Sequence, residues 1–149
     1  MADEAYRAVF LRVHPTGKMV LSLTTEPDGK EEQYARLVAT ELGVPPLDVK
    51  VVPADLDRFG EGHGYNTAPS EGTSGAIQSA TGKIKAKAQL LAGVAMGAEP
   101  NALSWDNGAF ATSSGEKRTI ADLALYAHGT GALPPGVEGG LDAQTVYRD

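Results

Sequence analysis

The chain has 149 residues, 42% of them apolar, a formal net charge of −6 and no cysteine. That length fits a single domain over residues 1–149 with a modest core. The negative charge argues against nucleic acid or an anionic membrane as the main partner, and the missing thiols exclude disulfides, zinc–thiolate sites and Fe–S clusters held by this chain. MADEAYRAVF has neither the basic stretch nor the apolar run of a signal peptide. No segment approaches the roughly 18 apolar residues of a membrane span, so a cytoplasmic protein is the expectation.

Residues 6–13 (YRAVFLRV) and 18–24 (KMVLSLT) are rich in β-formers and alternate in part. His14-Pro15-Thr16-Gly17 between them has turn chemistry, so the pair predicts a β-hairpin. Glu26-Pro27-Asp28-Gly29 is a second turn, and Asp28 is a candidate cap for a helix after it. Tyr34, Leu37, Val38 and Leu42 recur at helical spacing and predict a buried stripe on that helix over 31–42, stopped by Gly43 and barred from continuing by Pro45-Pro46. Residues 49–52 (VKVV) predict a short strand.

Residues 59–76, FGEGHGYNTAPSEGTSGA, form a glycine-rich loop. A long helix is predicted behind it over 76–96, with Ile77, Ala80, Ile84, Ala88 and Leu91 on one face. Lys83, Lys85 and Lys87 lie largely off that face and are expected to be solvated, and Gly97 ends the helix. Leu103-Ser104-Trp105 and Ala109-Phe110-Ala111 flank Asp106-Asn107-Gly108, a strong hairpin signal. Thr119 is placed to cap a short helix over 120–127, with Asp122 in its first turn. Leu133-Pro134-Pro135-Gly136 is a rigid crossing, and residues 141–147 (LDAQTVY) predict a last strand, which must pair within the fold or with another chain. The sum is an α+β fold: small mixed sheets with two main helices.

Little here has the pattern of catalytic chemistry. His14, His63 and His128 are far apart and lack ligand spacing; His14 falls in a turn, His128 near a helix C-terminus, and only His63 lies in the glycine-rich loop, a candidate for touching a ligand. Glu31-Glu32 reads as a helix N-terminus and Asp55 with Asp57 as a strand-end turn, rather than as metal ligands. No serine sits in a nucleophile elbow. The loop is neither a Walker A motif nor GxGxxG. It runs from a strand into a helix, so N–H groups near residues 73–77 would point out of the helix start, and Asn66, Thr67, Ser70, Thr73 and Ser74 add polar side chains. On physical grounds a phosphate-bearing cofactor and a plain surface loop stay equally open.

The ordered set RVHPTGKMVLSLTTEPDG, YARLVATELGVPPLDVKVVPADLDRFGEGHGYNTAPS, GAIQSATGKIKAKA, ALSWDNGAF, TIADLALYA and LPPGVEGGLDAQTVYRD resembles part of the molybdenum-cofactor-binding large subunit of the xanthine dehydrogenase/aldehyde oxidase/carbon monoxide dehydrogenase family. The resemblance implies part of the molybdopterin-binding domain of a molybdenum hydroxylase. It implies a molybdopterin cofactor, in bacteria often the molybdopterin cytosine dinucleotide, and hydroxylation of a small-molecule substrate with oxygen from water. Fe–S clusters and FAD would reside on partner subunits. Cofactor contacts carry over to Tyr65, Asn66, Thr67, Ala68 and Ser70.

Two departures qualify it. Pro27-Asp28-Gly29 stands where the family has Gly-Gln-Gly, so a cofactor-binding glutamine is replaced by an acceptor that repels anions. The family's late glutamate base has no counterpart, since Glu71 and Glu138 sit in other contexts. The resemblance therefore implies a small subunit of a multi-subunit oxidoreductase, not complete alone. It would work with a larger molybdenum-binding subunit, an Fe–S subunit and a flavin subunit, its last strand pairing with or leading on to a partner. The alternative is a non-catalytic structural or assembly subunit that completes the partner's fold.

Overall fold

The computed structural model describes residues 6–60, 65–129 and 133–148. β1 (Arg7–Val13) and β2 (Met19–Leu23) form the expected hairpin, with Val9 opposite Leu23, Leu11 opposite Leu21 and Val13 opposite Met19. All of these side chains are buried on one pleat face. A one-residue slip would turn every one of them outward, so burial sets the register. β3 (Val49–Val52) joins β2 in parallel. A parallel neighbour needs a crossover, and the intervening α1 (Glu31–Leu42) supplies it. Its buried stripe is Tyr34, Ala35, Val38, Ala39 and Leu42, with Leu37 packed at the margin.

β7 (Asp142–Tyr147) runs antiparallel to β1, with Ala143 opposite Leu11 and Thr145 opposite Val9. The described residues thus build a mixed four-stranded sheet in the order β3-β2-β1-β7. This corrects the expectation that the last strand takes its mate from a partner chain: β1 had a free edge, and β7 fills it.

After a short turn of helix, α2 (Leu56–Phe59), and the loop, α3 (Thr73–Met96) packs on β1 and β7 beside α1. The predicted stripe from Ile77 to Leu91 is buried as expected. The helix begins at Thr73 rather than 76. Thr-Ser-Gly is a weak helix former, but the Thr73 hydroxyl shares a 2.8 Å hydrogen bond with the Tyr147 hydroxyl, and this tertiary contact outweighs propensity.

Of the three lysines, Lys83 is exposed as expected, while Lys85 and Lys87 are half-buried. Lys83 donates to the Gln144 carbonyl of β7 at 2.7 Å. Lys85 pairs with Glu41 at 3.3 Å and lies 4.9 Å from the Trp105 ring centre. Their long stems reach across the helix flank to partners that only the fold brings near.

β4 (Ser104–Asp106), β5 (Ala109–Ala111) and β6 (Lys117–Thr119) form a second, antiparallel sheet. β6 was not foreseen; three polar residues, KRT, carry no strand pattern. α4 (Ile120–His128) starts at the expected cap: Thr119 accepts from the Asp122 N–H and Asp122 from the Thr119 N–H, a reciprocal capping box. No helix of the described residues is long and apolar enough to cross a membrane.

Candidate functional site

β2 leaves the sheet through a tight turn in which the Lys30 N–H donates to the Pro27 carbonyl at 3.0 Å. Asp28 (φ 53°) and Gly29 (φ 76°) both adopt the left-handed conformation that reverses the chain there. Lys30, not Asp28, is the N-cap of α1, and no side chain bonds to the cap. The left-handed turn holds Asp28 two residues ahead of the position a capping side chain needs, which corrects its expected role. Glu31 and Glu32 do occupy the first turn of α1, as read from the sequence.

His63 and residues 61, 62 and 64 lie outside the described residues. From Tyr65 onward the loop is anchored residue by residue. Tyr65 makes a parallel bridge with Tyr6, and its ring meets those of Tyr6 at 5.2 Å and Phe59 at 5.6 Å. The Asn66 N–H donates to the Tyr6 carbonyl at 2.9 Å, and the Thr67 carbonyl accepts from the Glu26 N–H at 2.9 Å. The Asn66 side chain accepts from the Ala68 N–H at 2.8 Å, and the Ala68 carbonyl accepts from the buried Arg7 Nε at 3.4 Å. Ser70 is buried, and its Oγ accepts from the Gly72 N–H at 3.0 Å. Tyr65 and Asn66 are half-buried, whereas Thr67, Ala68 and Pro69 are exposed.

This anchoring narrows what the loop can offer. Amides of residues 66, 68, 72 and 73 already have internal acceptors, and the Ala76 N–H bonds back to the Gly72 carbonyl. Over 73–77 the Thr73 and Ala76 amides are therefore taken, which breaks up a cradle of consecutive N–H groups. Thr67, Ala68 and Pro69 are the residues of the segment that lie exposed.

The two motifs that sequence reading kept apart converge. Pro27, Asp28, Lys30 and Tyr34 on one side, and Pro69, Ser70 and Glu71 on the other, line one cleft of about 170 Å³. The N-termini of α1 and α3 flank it, so two positive helix ends and the Lys30 ammonium face an opening that also holds Asp28 and Glu71.

The remaining candidates fall elsewhere. His14 sits in the β1–β2 turn, its Nδ1 2.9 Å from the Thr16 hydroxyl. His128 ends α4, with Nδ1 donating to the Ala124 carbonyl at 2.8 Å. Asp55 accepts from the Arg58 N–H at 3.3 Å at the start of α2. Among the described residues no group of three histidine or carboxylate side chains could hold a metal ion. Sequence reasoning missed Arg7, Lys30 and Tyr34. Arg7 left a readable signal: it shares the inward register of Val9, Leu11 and Val13, where a cation is out of place.

Comparison with known proteins gives the family and the fold. Residues 2–149 match the model of a molybdopterin cofactor-binding domain. The carbon monoxide dehydrogenase large chain of Afipia carboxidovorans is 34% identical over 144 residues, and that of Hydrogenophaga pseudoflava 32% over 142. Each alignment takes in 92% of this chain but 17% of the relative, so the chain spans about a sixth of the length of these curated relatives. The structure of reconstituted CO dehydrogenase from Oligotropha carboxidovorans superposes over 97% of this chain and 18% of that one, with a TM-score of 0.82 and 28% identity. Quinoline 2-oxidoreductase from Pseudomonas putida 86 shares the fold at a TM-score of 0.73 and 22% identity.

Proposed function

The chain belongs to the molybdopterin cofactor-binding domain family, and on that premise we propose that it builds one wall of the cofactor pocket of a cytoplasmic, multi-subunit molybdenum hydroxylase. The observation that carries the proposal is the single cleft into which the 27–30 turn and the 69–71 segment both open.

The donor set fits a wall and not a whole site. Pockets for ligands of this size run to about 300–1,000 Å³, whereas this cleft has about 170 Å³. Lys30 and the two helix ends favour an anionic group such as a phosphate. The carboxylates of Asp28 and Glu71 oppose one close by, which favours the Lys30 side of the cleft for such a group. Tyr65, Asn66, Thr67, Ala68 and Ser70 are the proposed contacts. Ser70 lines the cleft, and Thr67 and Ala68, exposed on the segment that leads into it, would meet the cofactor beside it. Tyr65, Asn66 and Ser70 would hold them there through their ring contacts and hydrogen bonds. When bound, the cofactor supplies the redox chemistry by which oxygen from water is added to a substrate carbon. This chain's part is to orient it and keep water from one side.

The remaining walls would come from the parts of the large chain that this one does not span. In the split arrangement read from the sequence these lie on a larger partner, alongside an Fe–S subunit and a flavin subunit. The rival, a non-catalytic assembly subunit, draws on Asp28: an acid at the cleft is a poor host for a phosphate.

Co-expression with a large-chain partner separates the two. On our reading the chain co-purifies with molybdenum, and Asn66→Ala or Thr67→Ala lowers molybdenum per complex severalfold while the complex stays assembled. Unchanged molybdenum content in both variants would support the assembly role instead.

A further inference from the structure

Arg7 is the only charged side chain among the buried described residues, at 8% exposure. Taking a guanidinium out of water is costly unless its N–H groups are satisfied. It stands at the first position of β1, on the pleat face that otherwise carries the apolar core. Its Nε–H points at the Ala68 carbonyl, sixty-one positions along the chain. That carbonyl belongs to the exposed segment between two other anchors, the Thr67 carbonyl on Glu26 and the Ser70 hydroxyl on Gly72. Tyr6, the neighbour of Arg7, meanwhile holds the Asn66 N–H and packs its ring on Tyr65. The start of β1 therefore grips the loop twice, once through backbone and once through the arginine.

We propose that Arg7 is a positioning residue: its Nε–H fixes the Ala68 carbonyl and thereby the outward presentation of Thr67, Ala68 and Pro69. The link from this geometry to a cofactor rests on the function proposed above; the positioning itself does not. Arg7 does not line the cleft, and its described link to the loop is the Ala68 carbonyl.

Two substitutions isolate that bond. Arg7→Met keeps the unbranched stem but puts a methyl group where Nε stands, whereas Arg7→Gln puts an amide N–H donor at the same place. In the full chain, hydrogen exchange at the Ala68 amide, which Asn66 Oδ1 holds only while the segment keeps its shape, is expected to quicken about tenfold or more in Arg7→Met. In Arg7→Gln it should stay within about twofold of the parent, and amides of the β1–β2 ladder should be unaffected in both. In the complex with a large-chain partner, molybdenum per complex should fall in Arg7→Met and recover in Arg7→Gln. Unaltered Ala68 exchange in Arg7→Met, or an Arg7→Gln protein as unprotected at Ala68 as Arg7→Met, would overturn the proposal. Should Arg7→Met not fold, retention or loss of Ala68 protection in Arg7→Gln decides it alone. Exchange that behaves as expected, with molybdenum unmoved by Arg7→Met and Thr67→Ala alike, would remove the cofactor reading and leave the positioning role standing.

Discussion

Two turn-rich segments of this protein are held in place by opposite means. At the β4–β5 turn, Asn107-Gly108 abuts the end of α1 so closely that a Cβ on Gly43 would lie 2.4 Å from the Gly108 Cα. Backbone meets backbone there, and glycine is a steric necessity. At the 65–70 loop the described residues are fixed by directional contacts: carbonyls and amides gripped by Tyr6, Arg7 and Glu26, and rings packed on Tyr65. The first arrangement resists any added atom. The second leaves Thr67, Ala68 and Pro69 at the surface, where they can meet another body. Close packing suits a joint inside a scaffold, and polar anchoring suits a surface that must be both fixed and accessible.

The largest expected effect tests the steric side. Gly43→Ala combines a left-handed φ of 69° with that backbone clash, and should cost about 3–4 kcal/mol, since the strained conformation and overpacking add. Gly29→Ala has a similar φ of 76° but nothing within 4 Å of the added Cβ, and should cost only about 1–2 kcal/mol. Denaturant titration of the two variants would measure the difference; equal losses would show that the glycine–glycine contact contributes nothing. A smaller effect tests the polar side. Tyr147→Phe removes the hydroxyl bonded to Thr73, for an expected loss of about 1 kcal/mol. Hydrogen exchange should show it in the first turn of α3, and a loss spread evenly over the core would contradict local anchoring.

Most of the scaffold was legible because its signals are local. The stripe on α1, the Gly43 and Gly97 stops, the Asn107-Gly108 turn and the Thr119 cap all rest on spacing or conformation within a few residues. What escaped depends on residues far apart in the chain. β6 is defined by its neighbour β5 and not by its own polar residues. α3 starts early because of Tyr147, and Lys83, though exposed, bonds to a strand some sixty residues away. The candidate site divides in the same way. Its polar, glycine-rich composition was visible, and so was the departure at Asp28. That the Asp28 turn and Ser70 share a cleft, and that Arg7 bonds to the Ala68 carbonyl, comes only from how β1, β2 and α3 pack together.

On our reading the exposed part of the loop faces the cofactor. Thr67→Trp tests it most directly, because Thr67 is exposed and a large side chain there has room in the chain itself. The measurement is molybdenum per assembled complex, taken alongside the thermal midpoint of the variant. The expected result is an unchanged midpoint, an intact complex and molybdenum reduced about fivefold or more, the indole blocking the wall. A complex that assembles with its full complement of molybdenum would contradict it.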